Sequence, residues 1–198
     1  MFNIYKGDLD CKHERVAGYI KKEATRLALN CNDRTIKKFY YLSKLRNQWT
    51  NPVTALINHN QFAVHPGMKR LLVVHAYKMK TVPAIMVLTS KSHEIMEKYP
   101  FLKKAKPYNK VHFYNMVAAT PNVFQISTKE QSYYINQWED YDYAAYDSFN
   151  DVTNHYGNIK IECAGRSILV DGGENKTYTL QTHPDKLWVD LRKLFDKI

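Results

Sequence analysis

Acidic residues are in short supply in this chain. Only 19 Asp and Glu stand against 29 Lys and Arg, which leaves a formal net charge of +10 and a pI near 9.4. A surplus of that size favours a polyanionic partner: DNA, RNA, a nucleotide or an anionic surface. Cysteine is almost absent. Cys11, Cys31 and Cys163 are widely spaced and form no C-x-x-C pair. That excludes a disulfide framework and a zinc ribbon, and it fits a reducing compartment. Seven Gly and seven Pro are scattered with no Pro-, Gly- or Ser-rich stretch, so no flexible linker is expected. No apolar run approaches the roughly 18 residues that a membrane span needs. The opening MFNIYKGDLDCKHER is too charged for a cleaved secretory signal. A cytoplasmic location is expected, with no membrane partner.

What is present is ordinary for a globular chain: 198 residues, 44% hydrophobic and 24% charged. One α/β (α+β) domain over 1–198 is expected, in three parts. Residues 1–48 form a basic helical part. Within it, residues 12–30 place Val16, Ile20, Ala24 and Leu27 at helical spacing, with cations between. Asp33 reads as the N-cap of a second helix with a stripe of Ile36, Phe39, Tyr40 and Leu42. Between residues 12 and 46 ten Lys and Arg face three acids. Lys21, Lys22, Arg26, Lys37, Lys38, Lys44 and Arg46 are the candidates to neutralise nucleic-acid phosphates. Tyr40, Tyr41, Tyr133 and Tyr134 could stack on bases, although a core or interface place is the commoner role for each tyrosine.

Residues 49–130 form the middle part. Asn51-Pro52 breaks the second helix. VTALINHN then reads as a short helix or turn, QFAVH as a strand, GMKRLLVVHAYKM as a helix and VPAIMVLTS as a buried strand. A further helix follows to about Pro100, then strands in KVHFYNMVAAT and NVFQIST. In the third part, 131–198, the stretch WEDYDYAAYDSFND carries five acids and no cation. A hairpin, NIKIECAGRSILVDGG, a strand, KTYTLQTH, and an amphipathic helix opened by Pro184 complete the chain. That helix should bury Leu187, Leu191, Leu194 and Phe195.

The chemistry concentrates at residues 62–88, FAVHPGMKRLLVVHAYKMKTVPAIMVL. A strand that ends at a glycine and enters a helix exposes backbone N–H groups without intrahelical partners. The helix dipole adds about half a positive charge there. Gly67 lets an anion approach the backbone, and Lys69 and Arg70 sit in the first turn, where the dipole disfavours cations unless an anion lies between. Arg70 offers a planar fork to phosphate oxygens. His65 could act as an acid or base beside it. The plain reading of the same residues is a turn followed by a solvated basic face.

The order strand, G-x-x-R opening a helix, then V-P-A on a buried strand resembles the nucleotide-binding core of the ParB/sulfiredoxin superfamily. The matching residues are Gly67 and Arg70, then Val82, Pro83 and Ala84, with Asn51-Pro52 upstream. The resemblance covers roughly residues 49–90. It implies a mixed sheet with a phosphate cradle at Gly67, Lys69 and Arg70, and a nucleoside triphosphate with Mg²⁺ as a possible ligand. No cysteine lies near the motif and no helix-turn-helix follows, so neither sulfiredoxin chemistry nor a partition-protein reader is expected. Such domains include DNA clamps, small-molecule kinases and many bacteriophage proteins.

Other constellations carry less. Glu139, Asp140, Asp142, Asp147 and Asp151 have hard oxygens but no calcium-loop spacing. The eight histidines contain no H-E-x-x-H, and His75, in an apolar stretch, reads as a partly buried structural residue. Asp171-Gly172 is first a turn signal, and Glu162 should face solvent or a neighbouring strand. No metal site is expected. Three functions stay open: a phage-encoded, DNA-associated protein that binds nucleotide or nucleic-acid phosphate; a phosphoryl-transfer or DNA-modifying enzyme, kinase or nuclease, with His65 in acid–base work; and a phage protein that inhibits a host protein through 138–151.

Overall fold

The computed structural model describes residues 3–49, 52–64, 67–88, 92–108 and 156–198. Within them the chain is mixed α/β, with two mixed sheets and five α-helices. It divides into two compact units. The first comprises Met1–Val16, Thr50–Met68 and Thr81–Ala144; the second comprises Ala17–Trp49, Lys69–Lys80 and Ala145–Ile198. His65, the strand candidates within 110–128, Tyr133, Tyr134 and the acidic stretch 138–151 lie outside the described residues.

The first unit is built on a five-stranded sheet. Its strands are β1 (Asn3–Asp10), β2 (Val53–Ile57), β3 (Phe62–Val64), β4 (Thr81–Leu88) and β5 (Lys106–Pro107), in the order β3-β2-β4-β1-β5. β2 and β4 run parallel, from Val53 opposite Ala84 to Ile57 opposite Leu88. The other neighbours are antiparallel. Every residue of β2 is buried, and so is the run Ala84–Leu88 of β4. Strands covered on both faces carry continuous apolar runs instead of alternation. The segment expected to be a short helix or turn, VTALI, is therefore a central strand. Its lack of any period left helix and strand indistinguishable, and its β-branched Val53, Thr54 and Ile57 favour the strand. The Asn58 side chain accepts from the backbone N–H groups of Asn60 (2.9 Å) and Gln61 (2.6 Å) and turns the chain into β3. Helix α4 (Ser92–Lys98) and a 3₁₀ turn (Pro100–Lys104) lead to β5.

The second unit holds a three-stranded sheet of β6 (Asn158–Cys163), β7 (Arg166–Val170) and β8 (Thr177–Thr182), in the order β7-β6-β8. β6 and β7 form the expected hairpin. Its two turn residues, Ala164 (φ 52°) and Gly165 (φ 73°), are both left-handed, as a type I′ turn requires. β8 pairs with β6 in parallel. Helices α1 (Glu14–Leu29, entering this unit at Ala17), α2 (Asp33–Lys44) and α5 (Leu187–Phe195) supply its core with Phe39, Trp188 and Phe195. The Trp188 indole packs 5.2 Å from the Phe39 ring and donates to the Ala24 carbonyl at 2.8 Å. Arg166 donates to the Leu29 and Cys31 carbonyls and so satisfies the C-terminal end of α1.

Two helix starts differ from expectation. The N-cap of α2 is Asn32, whose side chain accepts from the Thr35 N–H at 3.0 Å. Asp33 takes the first helical position, where its charge suits the dipole and pairs with Lys37 at 3.2 Å. Pro184 lies in the turn before α5, which begins at Leu187 and buries Trp188 where Leu194 was expected; Leu194 is only partly covered. All three cysteines are buried free thiols. Burial pushes the Cys11 thiol up to about 12 and that of Cys31 up to about 11, so neither is a reactive thiolate at neutral pH. Among the described residues no helix is long and apolar enough to cross a membrane.

Candidate phosphate-binding residues

Gly67 does precede a helix, α3 (Met68–Tyr77). Its backbone is left-handed at φ +115°, which strongly favours glycine. A Cβ placed there would stand 2.5 Å from Val53 Cγ1 and 2.9 Å from Val53 Cβ. Close approach to β2 therefore demands a glycine at this position whether or not an anion binds. Lys69 and Arg70 occupy the first turn of α3, as expected. Lys69 is half-buried, and Arg70 is only 4% exposed. A guanidinium so deeply placed is a poor first contact for a polymer such as DNA, whose phosphates must be met at the surface.

The seven basic candidates of α1, α2 and the turn that follows α2 sort by what they already touch. Lys37 is paired with Asp33. Lys44 donates to the Phe195 carbonyl at 3.4 Å and lies 5.0 Å from the Tyr40 ring. Arg46 donates to the Ser43 carbonyl at 2.7 Å and stacks 4.2 Å from the Tyr77 ring. Lys38 is half-buried. These cations help hold the unit together. On α1 the position is different. Lys21 and Lys22 are exposed and, among the described residues, enter no ion pair. Arg26 is paired with Glu23 through Nε at 2.6 Å, yet its side chain remains 54% exposed. Lys22 and Arg26 are one turn apart, about 6 Å along the axis, and Lys21 flanks them. Both described tyrosine candidates belong to the core: Tyr41 is buried, and the Tyr40 ring lies 4.6 Å from Tyr156 and 4.7 Å from Phe195.

His75, on α3, is half-buried. Burial lowers its pKa first, and the Lys21 ammonium lowers it further. A histidine that stays neutral in the fold but protonates when unfolded contributes stability above its unfolded pKa of about 6.5 and loses that contribution as pH falls. The expected result is that His75→Gln flattens the decline of stability below about pH 6.5. Denaturant melts at a series of pH values measure this, and an unchanged slope would contradict it.

Among the described residues no group of three or more His, Cys, Asp or Glu is placed to hold a metal ion. Sequence reasoning missed Lys6 and Lys106, because it assigned neither of the strands that carry them. No protein-family model, no curated protein and no solved structure matches this chain.

Proposed function

We propose that the protein binds nucleic-acid phosphates without base specificity, through Lys21, Lys22 and Arg26 on α1. The observation that carries this reading is the exposure of those three cations on one helix, while Lys37, Lys44 and Arg46 are engaged within the unit. The net charge of +10 supplies the attraction. Long flexible lysines meet phosphates as point charges and carry no base information. The strand, G-x-x-R, helix and V-P-A strand order over 62–88 supports retaining the ParB-like likeness for this core, with Gly67, Lys69 and Arg70 as its cradle residues, and a phage origin with it. Binding through α1 does not depend on that likeness.

The test is fluorescence anisotropy of the wild type and of Lys21→Gln/Lys22→Gln on a labelled duplex, over a series of salt concentrations. Wild-type binding should fall steeply with salt, because phosphate contacts release counterions. The double variant should bind more weakly on every duplex sequence and lose about one unit of salt slope per lysine. Unchanged affinity and slope would remove α1 as the contact surface.

A further inference from the structure

The first unit carries a cleft of about 680 Å³ whose lining includes Lys6, Asp8 and Asp10 of β1, Phe101 and Lys104 of the 3₁₀ turn, and Lys106 of β5. That volume is in the range of small-molecule sites. Lys6 and Lys106 stand directly opposite each other in the β1–β5 ladder, so both side chains leave the same face of the sheet. Like charges in that position repel. Gly7 eases the arrangement: a Cβ there would lie 3.0 Å from the Ala105 Cβ, tighter than an ordinary contact, so a glycine lets β1 and the chain entering β5 approach closely without displacing Ala105. Lys104, at the end of the 3₁₀ turn, adds a third ammonium. An anion between the lysines would turn this repulsion into charge-assisted hydrogen bonds.

The other lining residues narrow the kind of anion. Asp8 and Asp10 are exposed and half-buried, respectively, and two carboxylates repel a polymeric phosphate chain. They suit a ligand that is anionic at one end and rich in N–H or O–H donors at the other. Phe101 supplies an aromatic surface, and its ring is fixed by edge contacts with His13 (5.7 Å) and Tyr99 (5.9 Å). His13 is itself held on the Lys98 carbonyl at 2.9 Å. Lysines for phosphate, an aromatic ring for a base and carboxylates for sugar hydroxyls or base amines are the parts of a nucleotide site.

We propose that this cleft binds a nucleoside phosphate, with its phosphates on Lys6, Lys104 and Lys106, its base against Phe101, and its hydroxyl or amino donors on Asp8 and Asp10. The site is separate in residues from the α1 surface and does not rest on that reading. Calorimetric titration of the full chain with ATP, GTP, CTP and UTP, each with and without Mg²⁺, tests it. At least one of the four should bind saturably. Loss of two charge-assisted contacts in Lys6→Gln/Lys106→Gln should weaken it by about tenfold or more, and Phe101→Leu should weaken it as well. Tripolyphosphate and the free nucleoside should each bind less well than the nucleotide. Lys21→Gln/Lys22→Gln should leave the titration unchanged, which separates this site from the proposed nucleic-acid surface. The proposal is overturned if none of the four binds or if Lys6→Gln/Lys106→Gln binds as the wild type does. It is equally overturned if tripolyphosphate matches the nucleotide, which would make the cleft a general anion surface.

Discussion

Trp188→Ala is expected to destabilise the second unit by about 4 kcal/mol. The residue is 1% exposed, so truncation removes nearly all of a large side chain from a packed core. It also breaks the 2.8 Å bond from the indole N–H to the Ala24 carbonyl, whose oxygen then loses a buried donor. The ring contact with Phe39 disappears with it. Those losses fall on one face of α5, where Leu187, Leu191 and Phe195 are also buried. Chemical denaturation followed by far-ultraviolet circular dichroism gives the size. A cost below about 1 kcal/mol would mean that α5 is not part of the core, because fully buried tryptophans do not truncate so cheaply. Trp188→Phe keeps an aromatic ring in the core and loses the hydrogen bond and part of the indole volume, so it should cost less than Trp188→Ala.

Gly67→Ala should cost about 3 kcal/mol, from two sources. A non-glycine residue at φ +115° is strained by about 1–3 kcal/mol, and the new methyl would overlap Val53, an overpacking that adds a comparable amount. The two sources separate experimentally. In a Gly67→Ala/Val53→Ala double variant the overlap with Val53 Cγ1 is removed while the close contact with the Cβ at 53 and the backbone strain stay, so the two single costs should fall short of adding. Additive costs would show that Val53 is not what Gly67 accommodates. The loss should appear in protein with no ligand added. A glycine that served only to admit a phosphate would instead leave the free protein's stability nearly unchanged.

How legible this was in the sequence depended on the pattern each segment carries. The run 81–88 is readable because its Val, Ile and Leu content matches a strand buried throughout. The hairpin 158–170 is readable because Ala164-Gly165 interrupts two alternating strands at the right spacing. α2 is legible from its period, although Asn32 and Asp33 are both good caps and only geometry decides between them. β1 is not legible: NIYKGDLD sets Lys6, Asp8 and Asp10 on one face, but the face opposite them, Asn3, Tyr5, Gly7 and Leu9, is too weakly apolar to read as a strand, and its stability comes from eight-residue pairing with a distant strand, β4. β2 is not legible because five consecutive buried residues have no period to read. At the candidate sites, residue type located cations but not their surroundings. Arg70 is nearly covered, and Lys44 and Arg46 are engaged with Phe195 and Tyr77. Such burial comes from tertiary packing that the local sequence does not encode. The Lys6–Lys106 opposition was invisible for the same reason, since the two residues are separated by one hundred positions and meet only through strand register.

In the proposed binding mode exposure, rather than residue type, decides which cations meet phosphate. This is tested most directly by comparing Lys21→Gln/Lys22→Gln with Lys37→Gln/Lys44→Gln on one duplex at one salt concentration. Each pair removes the same two charges, so non-specific attraction from net charge falls equally in both. The first pair should weaken binding severalfold more than the second, since each phosphate contact carries its own counterion release. Lys37→Gln/Lys44→Gln should instead lower thermal stability, because Lys37 pairs with Asp33 and Lys44 reaches the Phe195 carbonyl. Equal weakening by the two pairs, or a larger loss from the second, would contradict the account and leave only diffuse charge as the source of binding.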